Sequence, residues 1–339
     1  MAKQEFTVQA QYIQRLKESI PANSSLVDEM ADLLSISTDS AYRRIRGETA
    51  LTIDEVTKLC NHYKMSFDFT GKPEGGFGSS VTFNYHHLSE DIDNFQSYLT
   101  NVMNDMKKIK ATLTKEILFA AEDIPIFHHF SYKHLGAFKL FYWSRSILNV
   151  KEQEGTKFDV NAIPQEQKDI IEQINDLYVD IPSMEIWSED TINSTLRQIE
   201  YYHDSGLFKS KQDALVVMDE LKLMITGVEK QAAASTKFRG EVAPASSKEN
   251  YWIYVSDLMI GDNAILVTMN VNKSTYLIHN TFNSMVTLNQ DFCDETERWL
   301  KNLVKKSTLI SGIAEKNRLR FFKKMHEKID RTREHVMNN

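Results

Sequence analysis

Two cysteines in 339 residues, Cys60 and Cys293, stand far apart with no CxxC or Cys/His metal spacing. That sets aside a disulfide scaffold and a structural zinc site, and makes a cytoplasmic location the expectation. Glycine and proline are also scarce, twelve and six residues; long stretches without them favour helix. No apolar run approaches the roughly 18–20 residues that cross a bilayer, so no membrane partner is expected. The opening MAKQEFTVQAQYIQRL has no apolar signal-peptide core. Basic charge is in deficit, 40 Lys+Arg against 47 Asp+Glu, a formal −7. That excludes a general polycation, although DNA binding needs only a local basic surface. The chain also lacks GxxxxGK[ST], a GxGxxG after a strand, GxSxG and HExxH, so neither catalytic residues nor a cofactor are expected.

What is present is organised in blocks. Four of the twelve glycines (Gly71, Gly75, Gly76, Gly78) fall in TGKPEGGFGSS, Thr70 to Ser80. Such a composition cannot carry a packed helix and reads as a linker over 71–80. From 81 to 238 the pattern reads as helical. Ile92, Phe95, Leu99, Val102, Met106 and Ile109 form one stripe at spacings of three or four. From 239 to 339 the period changes. NYWIYVSDLM, NAILVTMNV, STYLIHN and NSMVTLNQ are short, rich in β-branched and aromatic residues and divided by turn formers such as Gly261-Asp262-Asn263 and Asn272-Lys273-Ser274. They read as an antiparallel sheet of three or four strands, followed by helices at about 291–305 and 311–333.

The first 70 residues repeat a capped amphipathic pattern. Val8, Tyr12, Leu16 and Ile20 share one helical face, as do Leu26, Met30, Leu33 and Leu34 after the Ser25-x-x-Asp28 cap. After a short turn, SAYRRIR makes a third helix, capped by Ser37 or Thr38 and stopped by Gly47. TIDEVTKLCNHY then opens on the capping box Thr52-x-x-Glu55.

This order resembles the helix-turn-helix of the XRE family, the Cro and phage-repressor type. LVDEMADLLSIS matches the supporting helix, TDSAYRRIRGE the recognition helix and LTIDEVTKLCNHYKMS the helix after it. The usual turn glycine is Ser35 here. Taking Tyr42 and Ile45 as the buried pair of the third helix implies one extra turn residue, which leaves the base-facing register open by one. On that register Thr38, Asp39, Ser40, Arg43 and Arg44 face the major groove, and Arg46 a phosphate. Residues 1–70 hold eight basic and ten acidic residues, so one copy would bind DNA weakly without specificity, and a homodimer on two half-sites is expected.

The rest offers weaker signals. His86-His87 and the group His128, His129 and His134 lie among aromatics and read as partly buried hydrogen-bonding residues before metal ligands. His203-Asp204 has the HD spelling of helical phosphohydrolases without the other ligands. Phe138, Phe141, Tyr142 and Trp143 read as core, with a ligand pocket as the alternative. Lys301 to Glu334 carries eleven basic and four acidic residues and reads as an amphipathic terminal helix packed on its own domain or a second subunit, with phosphate contact the lesser alternative.

The expectation is therefore a mostly α chain: a four-helix helix-turn-helix domain (1–70), a linker (71–80), a helical region (81–238) and an α+β region (239–339) with a small antiparallel sheet. Its expected function is DNA-binding transcriptional regulation. Double-stranded DNA and a second copy are the expected partners, with a small-molecule or protein effector sensed by the larger region. The alternatives are a protein-interaction module on a reused helix-turn-helix and a helical enzyme.

Overall fold

The computed structural model describes residues 7–20, 25–63, 81–240, 243 and 248–338; the glycine-rich stretch expected to be a linker lies outside them. The chain divides into two compact units, Met1–Thr82 and Phe83–Asn339.

The first unit holds α1 (Val8–Ser19), α2 (Leu26–Leu34), α3 (Thr38–Ile45) and α4 (Ile53–Tyr63). Their starts are set by side-chain caps. Thr7 accepts from the Ala10 N–H, Ser25 from Asp28 and Ser37 from Ser40. At α4 the capping box forms in both directions: Glu55 N–H donates to Thr52 Oγ1 at 3.2 Å, and Thr52 N–H to Glu55 Oε2 at 2.9 Å. The ends of α2 and α3 use one device twice. At Ser35 (φ 55°) the Ile36 N–H reaches the Ala31 carbonyl, and at Gly47 (φ 77°) the Glu48 N–H reaches that of Arg43. Both are Schellman closures, which need a left-handed residue. The core is Tyr12, Ile13, Leu16, Met30, Ala31, Leu34, Ala41 and Leu59. Val8, expected inward, is half exposed, and Ile13 takes the place beside Tyr12.

The second unit is built on one eight-stranded sheet: β1 (Asn84–Tyr85), β2 (Lys115–Ala120), β3 (Ser183–Trp187), β4 (Tyr251–Val255), β5 (Ala264–Met269), β6 (Asn272–His279), β7 (Asn283–Thr287) and β8 (Thr308–Leu309), in spatial order β1-β7-β6-β5-β2-β3-β4-β8. β2, β3 and β4 are parallel, and every other pairing is antiparallel. This corrects two expectations. The region 81–238 is not all helix, since it supplies the central strands β2 and β3. The sheet is mixed and continuous, not a small antiparallel one confined to 239–339. Parallel strands covered on both faces lose the in–out alternation that announces a strand, and EILFAA reads equally well as a buried helical turn. Asn272, Lys273 and Ser274 begin β6, and the hairpin turns through Asn270 (φ 55°) and Val271.

Alternation along β2 shows how the layers divide. Ile117 and Phe119 join the large core formed with α5 (Ile92–Ala111), α6 (Ile126–His129), α7 (Lys133–Tyr142), α8 (Gln165–Val179), α9 (Asn193–Asp204), α10 (Lys211–Ala234) and α12 (Glu315–Asn338). Leu118 and Ala120 face the other way, onto Cys293, Leu300 and Leu303 of α11 (Gln290–Lys305). α12, the basic terminal segment, packs on α10 and α9. It buries Phe321, Phe322, Met325 and Ile329, and Arg318 donates to the Ile310 and Gly312 carbonyls at 3.1 and 2.7 Å.

Candidate nucleic-acid interface and the buried polar clusters

α3 meets the core through Ala41 and Ile45, which leaves its polar residues outside. Ala41 is fully buried and Ile45 partly buried, while Tyr42 is 49% exposed. The inward pair is therefore Ala41 and Ile45, with normal i, i+4 spacing, and the Tyr42/Ile45 assignment is corrected. The outward face carries Thr38, Asp39, Tyr42, Arg43 and Arg46. Ser40 is half-buried, its hydroxyl 3.0 Å from Ser37 Oγ.

The three arginines have different surroundings. Arg43 spans one turn to Asp39, Nε to Oδ2 3.1 Å, with both side chains mostly exposed. Arg46 lies 5.5 Å from the Tyr42 ring centroid and 3.7 Å from a Glu48 oxygen. These are weak surface pairs that an incoming anion can displace. Arg44 is another matter. Its guanidinium gives two bonds to Glu55 Oε1, at 3.1 and 2.8 Å, and a third to the Ser40 carbonyl; both side chains of the pair are only 16% exposed. The Arg44 guanidinium is the first reason that the Glu55 carboxyl lies below the usual range. Arg44, expected at a base edge, thus binds α3 to α4.

The position of α3 is fixed from a third side by Gln9 of α1. Its amide donates to the carbonyls of Arg44 and Thr49, both at 2.8 Å, and its carbonyl accepts from Leu51 N–H at 3.1 Å. Neither Gln9 nor Tyr42 was among the sequence candidates. The spacing Ala41/Ile45 would have exposed Tyr42, but alanine carries little hydrophobic signal beside a tyrosine.

In the larger unit the histidine cluster turns inward. Glu185, on β3 and wholly buried, accepts from Trp187 Nε1 at 2.8 Å, from the Tyr251 hydroxyl at 3.1 Å and from the Tyr178 hydroxyl. His128 Nε2 stands 2.9 and 3.0 Å from its two oxygens. Lys237 donates to the Ile181 carbonyl and Ser183 Oγ at 2.5 and 2.8 Å, and sits 3.7 Å from the Tyr178 ring centroid. Burial pushes its ammonium down to about 7, against the pull of Glu185 and Asp180. For Glu185 burial acts upward, but His128, Tyr178 and Lys237 outweigh it and the carboxyl titrates low. A second cluster joins Lys139 to Gln198 Oε1 at 2.8 Å, Asp123 at 3.1 Å and Thr195 at 3.3 Å, with His129 on the other side of Thr195. Burial, then Lys139, holds His129 neutral.

His134 is bound to Glu220 at 2.7 Å, and Asp204 to His335 at 2.9 Å. Among the described residues no group of three His, Cys, Asp or Glu is placed to hold a metal. Of the aromatic run, Phe138 packs among Phe158, Tyr202 and Phe208 as core. Trp143 lines an apolar cavity and Tyr142 a polar cleft. That cleft, about 660 Å³, lies past the carboxyl ends of β2 and β3, between Glu122, Arg197 and Tyr201.

Comparison with family models, with curated proteins and with solved structures finds no match to this chain. No helix among the described residues is long and apolar enough to cross a membrane.

Proposed function

We propose that the chain is a sequence-specific DNA-binding transcriptional regulator of the helix-turn-helix kind. α3 enters the major groove with Thr38, Asp39, Tyr42 and Arg43 toward base edges and Arg46 toward a phosphate; Ser40 lies at the margin. The observation that carries this reading is the contrast on one eight-residue helix. α3 is held by the Gln9 clamp, by two Schellman turns and by Arg44–Glu55, yet presents Arg43, and Arg46 at its C-cap, with side chains 60% and 65% exposed. A rigid helix with displaceable guanidinium groups suits a major groove, where arginine pairs bidentately with guanine. Residues 83–339 then supply dimerisation and effector sensing, and the fit to two half-sites compensates for the acidic balance of each copy.

One observation favours the second reading, a protein-interaction module. Each arginine of α3 faces a carboxylate of its own unit, so a phosphate must replace Asp39 and Glu48 to be bound. Selection of duplexes from a random library by the full-length chain, at low and raised salt, separates the two. The regulator reading expects enrichment of a two-fold symmetric motif with half-sites one helical turn apart, about 34–36 Å, and affinity that falls steeply with salt. A library left unenriched, or binding indifferent to salt, would sink it.

A further inference from the structure

Between α5 and one face of the sheet lies a cavity of about 230 Å³. Its walls alternate as a sheet face should: Ile265 and Val267 of β5 point into it, with Val102 and Met106 of α5 opposite and Phe130 and Trp143 closing the inner end. A void of this kind forfeits the dispersion contacts of its lining unless something fills it. An apolar cavity of ~150 Å³ already suffices for a benzene-sized guest, so this one has room for a guest of roughly ten non-hydrogen atoms. Most of the lining is shielded from solvent. The exposed lining residues are Asn84, Tyr85, His86 and Asn101, which sets the mouth between β1 and α5.

The polar groups at that mouth narrow the guest's chemistry. Asp105 lines the cavity one turn beyond Asn101 on α5, and no lysine or arginine lines it. Lys108 pairs with Asp105 at 3.0 Å, but its side chain is 73% exposed and faces solvent. The field of Asp105 reaches inward: the Tyr276 hydroxyl is pushed up to about 12, by burial first and then by Asp105. Of the other hydroxyls in the lining, on Tyr85, Tyr98 and Ser284, that of Tyr98 is spent on the Phe282 carbonyl at 2.8 Å. A carboxylate-headed guest would meet the like charge of Asp105 with no lysine or arginine in the lining, His86 being its one histidine, whereas an alcohol or ammonium head meets Asn101 and Asp105 as acceptors.

We propose that this cavity is a binding site for a small hydrophobic molecule with a neutral or cationic, hydrogen-bond-donating head, its apolar body between α5 and the sheet and its head at Asp105. The site belongs to residues 83–339 alone and does not depend on the DNA-binding reading.

Three eight-carbon probes on the full chain test it by calorimetric titration at sub-millimolar concentration: 1-octanol, octylamine and octanoate. Octanol and octylamine are expected to bind saturably, with octanoate at least tenfold weaker. Val102→Phe fills the void and is expected to abolish binding while the melting temperature stays level or rises. Should that variant fail to fold, Asp105→Asn, at a half-exposed position, carries the test. It is expected to close the gap between octanoate and octanol without weakening octanol. Absence of octanol and octylamine binding, or binding that survives a folded Val102→Phe, overturns the site. Octanoate binding as tightly as octanol, or an octanoate deficit unchanged in Asp105→Asn, overturns the assigned head-group chemistry.

Discussion

Arg43 and Lys237 are both basic side chains in contact with an aromatic or acidic neighbour, yet they stand in opposite physical regimes. On α3 the charges point to solvent, their pairs are loose, and removing them leaves no polar group stranded. In the larger unit the charges point inward, and one carboxylate, Glu185, meets tyrosine, tryptophan and histidine groups inside the core. Surface pairs of the first kind contribute little to stability and are free to be exchanged for a ligand. Groups of the second kind are costly to disturb because each lost partner strands a buried charge or donor. A charge read from sequence signals function only when the fold leaves it outside; Arg44, one residue from Arg43, falls on the inner side of that line.

Substitutions can break the comparison, and the largest effect is expected inside. Glu185→Ala strands the Trp187 donor, removes one acceptor each from Tyr178 and Tyr251 and takes the carboxylate from His128, and should cost about 3–5 kcal/mol by denaturant unfolding. Glu185→Gln, which still accepts, should cost less. A loss below about 1 kcal/mol for the alanine variant would mean that the cluster is not a stabilising unit.

The same cluster should leave a mark on pH dependence. Lys237 is held near 7 in the folded chain, whereas lysine ordinarily titrates at 10.5. Between those values the unfolded chain holds a proton that the folded chain lacks. Stability should therefore rise from pH 7 to 9.5, by about 1 kcal/mol per pH unit. Lys237→Met should flatten that slope, whatever it does to absolute stability. A falling slope in the parent chain would contradict the buried neutral lysine.

In the first unit Arg44→Ala should cost about 1–2 kcal/mol, the loss of a part-buried charged pair, seen as a lower midpoint for that unit. Arg43→Ala should move it by less than about 0.5 kcal/mol. Equal effects from the two would erase the distinction between structural and free arginine. In the opposite direction, Ser35→Gly should stabilise by about 0.5–1 kcal/mol, because serine is held at φ 55° where glycine is unstrained.

How much of this could be read from the chain follows the same division. The first unit was legible because its signals are local: Ser25 with Asp28, Thr52 with Glu55 and Gly47 all act within a turn of where they stand. What misled there was Tyr42, an amphipathic residue that outweighed the small Ala41 beside it. In the second unit the helix α5 and the strands β4 to β7 were visible in their periods. β2 and β3 were not, because burial on both faces removes alternation. The company that Glu185 keeps was illegible, since Tyr178, His128 and Tyr251 come to it from separate elements. The apolar cavity was illegible for a similar reason, being a space left by residues that individually look like core.

The central claim is that the outward face of α3, and not the helix as a whole, contacts DNA. It is tested most directly by binding of the library-selected duplex to the parent chain, Arg43→Ala and Arg46→Ala across a salt series. The account expects Arg43→Ala to lose about 1–3 kcal/mol and relax preference at one base pair. Arg46→Ala should weaken all sequences alike and lower the salt slope by about one. Affinity, preference and slope unchanged in both folded variants would contradict it.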